Sequence, residues 1–192
     1  MLVIKWKDFL DSERSSDFYD KETAISIGSF DGPHKGHFAI FEKVLDFAKK
    51  NGTLSGLLTF EKPVSSIKQG ENYNGDITSL DERLKIFEKL GFDFVIVCRF
   101  DESFSEIEGN EFFNILRDKL NLKFICEGED FRCGKKGLYS KTEITSYCVE
   151  NNIQFCFIPL ISEDGKRISS TFIRDLLKNK FFDKARQLMT RK

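Results

Sequence analysis

The sequence predicts an α/β protein: a five-stranded parallel sheet, doubly wound in the Rossmann-like manner, with helices on both faces. Three observations carry that prediction. Strand and helix signals alternate almost without interruption from residue 24 onward, and strands separated by helices form parallel sheets through right-handed crossovers. The run Phe94, Val95, Ile96, Val97, Cys98 is apolar throughout, as a strand covered on both faces requires. A glycine-rich loop, Gly28-Ser29-Phe30-Asp31-Gly32-Pro33-His34-Lys35-Gly36-His37, joins a strand signal to a helix signal. In doubly wound folds such a loop belongs to the ligand-binding edge, at the carboxyl ends of the strands.

Taken in order, the first strand covers residues 24–27. Phe38, Ile40, Phe41, Val44, Leu45 and Ala48 then recur with helical period until Asn51-Gly52 supplies a stop. Residues 54–60 form the second strand, and a polar stretch containing Pro63 and Gly75 follows. Ser79 and Glu82 have capping-box spacing, Leu80, Leu84, Phe87 and Leu90 make an apolar face, and Gly91 ends that helix. Residues 94–98 are the third strand. Phe112, Phe113, Leu116 and Leu120 mark the next helix, residues 123–126 the fourth strand, 143–150 a helix and 154–158 the fifth strand. Short helices over 171–177 and 183–189 complete the pattern.

The 192 residues are read as one domain, 1–192, long enough to bury a core. A net charge of −1 gives no general attraction to nucleic acid or anionic membrane, so neither is expected as a partner. The apolar run around Leu2, Val3 and Ile4 is too short for a signal peptide or a membrane span. Five cysteines, odd in number and without a C-x-x-C pair, suit a cytoplasmic protein with free thiols.

Both histidines of the chain, His34 and His37, fall in the glycine-rich loop and the first helical turn after it. Three apart on a helix, they share a face. That face lies at the positive end of the helix dipole, where unpaired backbone N–H groups favour phosphate. A cap or a surface role is the plain alternative, and a metal site is another, although no cysteine or further histidine lies nearby in sequence to complete a zinc set. A second loop, residues 128–137, carries three glycines, three cations, two carboxylates and an aromatic ring. A third segment, residues 166–174, sets Arg167 and Arg174 around Ser169, Ser170 and Thr171 at a helix start. Serines there commonly do no more than cap. Flanked by arginines, they also suit several phosphate oxygens, held by charge-assisted hydrogen bonds. Two helix N-termini gripping one polyphosphate would make a nucleoside triphosphate site, with neither a Walker motif nor the G-x-G-x-x-G fingerprint in the sequence.

The segments G-S-F-D-G-P-H-K-G-H, G-E-D-F-R-C-G and R-I-S-S-T-F-I-R, in that order, resemble the adenylyltransferase module of bacterial FAD synthetases, in the nucleotidylyltransferase superfamily. The resemblance runs from Ala24 onward. It implies a nucleotidylyltransferase-type fold and transfer of AMP from ATP to FMN, giving FAD and pyrophosphate with Mg²⁺. It also implies that His34, His37, Ser170 and Arg174 are catalytic, and that Gly28, Ser29, Phe30, Asp31, Gly36, Arg167, Ser169 and Thr171 complete the ATP site. Phe60, Glu129, Asp130, Phe131 and Arg132 would take the flavin side, with the metal ligands left open. Two positions depart from the family pattern. Residues 60–64 lack the histidine of a P-H-P-like turn, and Cys133 stands where phenylalanine is common. Relatives of this kind usually carry a riboflavin kinase module as well. None is expected here, so a separate kinase would supply FMN, and the chain is read as a monomer. Transfer to another phosphate acceptor and non-catalytic flavin or nucleotide binding are the competing readings. A class I tRNA synthetase fragment is disfavoured by the absence of a K-M-S-K-S-like loop.

Overall fold

A computed structural model describes residues 1–11, 21–69 and 73–190. Its main sheet has six strands, all parallel: β1 (Leu2–Lys5), β2 (Thr23–Ile27), β3 (Leu54–Phe60), β4 (Phe94–Cys98), β5 (Leu122–Gly128) and β6 (Gln154–Ile158). Their order across the sheet is β1-β4-β3-β2-β5-β6. The expected count of five is therefore corrected to six. The additional strand, β1, pairs with β4 from Leu2↔Phe94 to Lys5↔Val97 at the sheet edge. It is four residues long, Leu2 and Val3 are exposed, and it runs directly into helix α1 (Trp6–Asp11). So short an edge strand has neither the buried alternation nor the turn residues by which strands are recognised.

The helices between the strands are α2 (Lys35–Asn51), α3 (Val64–Gln69), α4 (Leu80–Leu90), α5 (Glu102–Ser105), α6 (Gly109–Leu120) and α7 (Lys141–Glu150). They cover both faces. On one side α1, α6 and α7 bury Trp6, Phe9, Phe113, Leu116 and Ile144 against Ile25, Leu58, Ile96 and Ile125. On the other, α2 and α4 bury Phe41, Val44 and Phe87 against Ala24, Leu57, Val95 and Phe124. Successive strand residues go to opposite cores, which is why the central strands are apolar without a break. Helix α4 begins with the expected capping box, Ser79 with Glu82, and Gly52 ends α2 in the left-handed conformation.

Beyond the sheet, a two-stranded hairpin, β7 (Ser162–Glu163) with β8 (Lys166–Arg167), leads into α8 (Ser170–Lys178) and α9 (Phe182–Met189). Ile168, Ile173, Ala185 and Leu188 form their own small core. Glu163 ties the hairpin to the start of α2 through Lys35, and to α9 through Lys184 at 2.9 Å. The cations hold its carboxyl down to about 2. No described helix is long and apolar enough to cross a membrane.

Candidate active site

Strand order reverses direction between β2 and β5: β3 and β4 lie to one side, β6 to the other. A cleft is expected outside the carboxyl ends at such a switch point. The paired register of β2 with β5 stops at Ile25↔Ile125. Past it, the Ile27 N–H donates to the side chain of Glu127 at 2.7 Å. A cavity of about 290 Å³ opens there, lined by Gly28, Phe30, Gly36 and both histidines on one side. Glu127, Gly128, Asp130 and Phe131 face them, with Arg167, Ser169 and Ser170 across the top. Loops that are distant in sequence thus meet as the sequence predicts.

The glycine-rich loop places the histidines by two devices. Phe30 takes a left-handed backbone (φ 46°) and buries its ring against Phe41, centroids 5.0 Å apart, and edge-on to His37 at 5.3 Å. A Cβ on Gly28 would fall 2.8 Å from that ring, so only glycine allows the turn over it. His34 is the N-cap of α2 and makes no side-chain cap bond. Its ring stacks on that of His37, centroids 3.8 Å apart and 19° from parallel. Both Nδ1 atoms are buried and without a hydrogen-bond partner among the described residues, so Nε2 is the ring nitrogen of each left to meet a ligand.

Burial, aided by the Arg167 charge, lowers the pKa of His34 from 6.5 to about 4. Burial and then His34 lower that of His37 well below its usual value. Both rings are neutral near pH 7, and act as hydrogen-bond donors rather than cations. The first intrahelical bond of α2 is Phe38 N–H to the His34 carbonyl, at 2.9 Å. The amides of Lys35, Gly36 and His37 are thus the free donors of that helix end.

On the facing wall Arg167 pairs with Asp130, and both are half exposed. Ser169 caps α8, accepting from the Phe172 N–H at 3.2 Å, and Ser170 donates to the Asp31 carbonyl at 2.8 Å.

A second cavity, of about 440 Å³, adjoins the first. Phe60, Phe100, Phe104 and Phe112 line it, with Val64, Ile107 and Cys133. Arg132, Gly134, Lys136 and Gly137 also border it. Ile27, Gly28 and Phe131 border both cavities and form the join. The turn without a histidine keeps a place here: Phe60 and Val64 line the wall, and the Val64 N–H donates to the Ser29 hydroxyl at 3.1 Å.

Four expected site residues line neither cavity. The Asp31 carboxylate is 1 % exposed and accepts from the Ile77 and Thr78 amides and from the Arg174 guanidinium. Arg174 also donates to the Gly75 carbonyl and the Tyr73 hydroxyl, its guanidinium lying 4.8 Å from the Tyr73 ring centre. Thr171 is exposed outside the cleft. Glu129 accepts from the Leu160 N–H at 2.9 Å. Ser29, also expected in the ATP site, lines the aromatic cavity.

Sequence reasoning missed Glu127 and Arg83. Arg83 is fully buried and donates to the Ser29, Phe60 and Glu61 carbonyls and the Thr59 hydroxyl. It thereby locks the loop after β2 to the loop after β3. The signal for Arg83 was only a cation at a core-facing helix position, four residues before Phe87.

These features define an α/β protein with a switch-point cleft of two joined cavities, one polar and one aromatic. A family model described as FAD synthetase matches residues 17–172, and the chain belongs to the FAD synthetase family of nucleotidyltransferases. A bifunctional riboflavin kinase/FMN adenylyltransferase of Buchnera aphidicola is 32 % identical over 174 residues, 90 % of this chain and 56 % of that protein. A Haemophilus influenzae protein of the same description is 32 % identical over 86 % of this chain and 54 % of its own. A Listeria monocytogenes FAD synthetase is 28 % identical over 88 % of this chain and 69 % of its own. The chain thus spans about half the length of the bifunctional relatives. A solved structure described as a macrolide-efflux protein from Streptococcus pneumoniae shares the fold, with a TM-score of 0.82 at 22 % identity, over 98 % of this chain and 60 % of that one.

Proposed function

We propose that this chain transfers AMP from ATP to FMN, giving FAD and pyrophosphate. The observation that carries the reading is the join between the two cavities. FMN is a flat aromatic ring system with a phosphate at the end of a short chain. An aromatic cavity opening into a phosphate-binding one suits that shape. The triphosphate would lie along the amide end of α2, under the Nε2 atoms of His34 and His37, with Arg167 and the N-terminus of α8 across from it. An FMN phosphate oxygen, already anionic, would attack the α-phosphorus in line at Gly28. The bond from that phosphorus to the bridging oxygen breaks as the new one forms, and pyrophosphate leaves. No base is needed to activate the nucleophile, so catalysis is positioning and charge stabilisation. Neutral imidazoles would strengthen their hydrogen bonds as charge moves onto the leaving group.

In this reading Asp31 and Arg174 act through the loops they hold, while Arg167 exchanges Asp130 for phosphate. Mg²⁺ would enter with ATP. No group of three His, Cys, Asp or Glu able to hold a metal occurs among the described residues, and none of the steps above is assigned to the ion. The test is to incubate the chain with ATP, Mg²⁺ and FMN and to measure FAD and pyrophosphate by chromatography. Equimolar formation of the two is expected. Tight binding of both substrates without FAD formation would overturn the proposal.

A further inference from the structure

Glu127 is a buried acid that the reaction above leaves unused. Its side chain is 2 % exposed, yet it lines the polar cavity beside Ile27 and Gly28, where the two cavities join. One carboxyl oxygen accepts from the Ile27 N–H at 2.7 Å and from the Ser26 hydroxyl at 3.4 Å. Among the described residues the other oxygen has no hydrogen-bond partner and no cation pairs with the group. Around the same cavity the titratable groups are His34 and His37 from α2, Asp130 from the loop after β5 and Arg167 from β8. The histidines are neutral, and Arg167 is paired with Asp130. Cys133, in the neighbouring cavity, is held as a thiol by burial. Nothing there compensates a buried negative charge. Burial accordingly raises the acid well above the usual carboxylate range, against the pull of its two hydrogen bonds.

A charged carboxylate at this spot would repel any phosphate brought to the join. A carboxylic acid does the reverse, because it has a proton to donate. We propose that Glu127 is protonated when the protein works, and that its free oxygen donates a hydrogen bond to a substrate phosphate at the join of the two cavities. This rests on the function proposed above, in that the phosphate belongs to ATP or FMN. The acid thereby adds a donor opposite the histidines and closes the site to anions when it ionises.

Infrared difference spectroscopy on the whole chain tests this without turnover. A protonated-carboxyl stretch is expected in the free protein at neutral pH, absent from Glu127→Gln, and shifted when ATP or FMN is added. Absence of the band, or a band unmoved by both ligands, overturns the proposal. A shift with riboflavin, which lacks the phosphate, as large as that with FMN overturns it too. Kinetics give a second readout. Glu127→Gln, a neutral donor at every pH, loses the alkaline fall in kcat/KM that the parent shows. It also retains about tenfold more activity than Glu127→Leu, which leaves the Ile27 N–H and the phosphate without a partner. Identical alkaline limbs in parent and Glu127→Gln overturn the proposal. Because the band is read on ligand binding alone, a chain that makes no FAD but shows the shift refutes the function and not the role of Glu127.

Discussion

His34 and His37 set a cost in acid that can be worked out with its sign. The folded pKa of His34 lies at about 4 against 6.5 when exposed. Between those values the unfolded chain binds a proton that the folded chain does not. The His34 share of stability is therefore complete above pH 6.5 and falls as pH drops towards 4, by about 3 kcal/mol. Urea unfolding followed across that window checks it, and His34→Gln flattens the slope. A parent and a His34→Gln variant with the same dependence on pH between 7 and 5 would exclude the neutral pair. Bound triphosphate reverses the balance, since an anion beside the rings favours their protonation. ATP binding in that window should take up protons, read by calorimetry in buffers of different ionisation heat. Glu127 runs the other way. Its raised pKa means that the folded state keeps a proton the unfolded chain releases above 4.5, so its share of stability is lost as pH rises.

Segments that lie far apart in sequence hold these side chains in place, and the ties were the least legible part of the chain. The glycine-rich loop and residues 166–174 could be read because glycine, histidine, arginine and serine occur there at local spacings with a chemical meaning. Asp31 was read as part of the nucleotide pocket. Its actual partners, the amides of Ile77 and Thr78 and the side chain of Arg174, stand 46, 47 and 143 positions away, and no local pattern announces them. Arg83 was hidden for the same reason, its acceptors lying 22 to 54 positions off. Asp31→Ala should cost about 3–5 kcal/mol, because it leaves the buried Arg174 charge unpaired. It should also raise KM for ATP more than it lowers kcat, since the loop loses its tether and the donors remain. A double-mutant cycle of Asp31→Asn with Arg174→Gln should show coupling of about 1–3 kcal/mol. Additive effects would mean that the two residues do not act as one clasp. Arg83→Lys keeps the charge but cannot reach four acceptors, and should cost about 3 kcal/mol of stability in thermal unfolding. A variant as stable as the parent would show that the bonds between the loops carry nothing.

At the scale of the molecule, alternation of strand and helix was enough to predict parallel strands, two covered faces and a binding edge. The edge strand escaped because four half-exposed residues carry too little pattern. The order of strands then does what no single loop can: it brings the ends of β2 and β5 together with no ladder bond between them, and two cavities form with one shared border. That shared border makes a prediction about linkage. Ligands that bind only the folded state raise its stability with concentration, by about 2.7 kcal/mol at a hundredfold excess over Kd. For a chain of this size that is a rise in Tm of about 5–10 °C. In the proposed reading riboflavin would need only the aromatic cavity, so its shift and that of ATP should add. In the same reading FMN would bring a second phosphate to Gly28 and Phe131, beside the triphosphate, and two anions a few ångströms apart repel through a medium less polar than water. The combined shift of FMN with ATP should therefore fall short of the sum of the separate shifts, and more so at low salt, where screening is weaker. Strict additivity for FMN at all salt concentrations would place the two phosphates apart, and the cavities would then be neighbours without a common reaction centre.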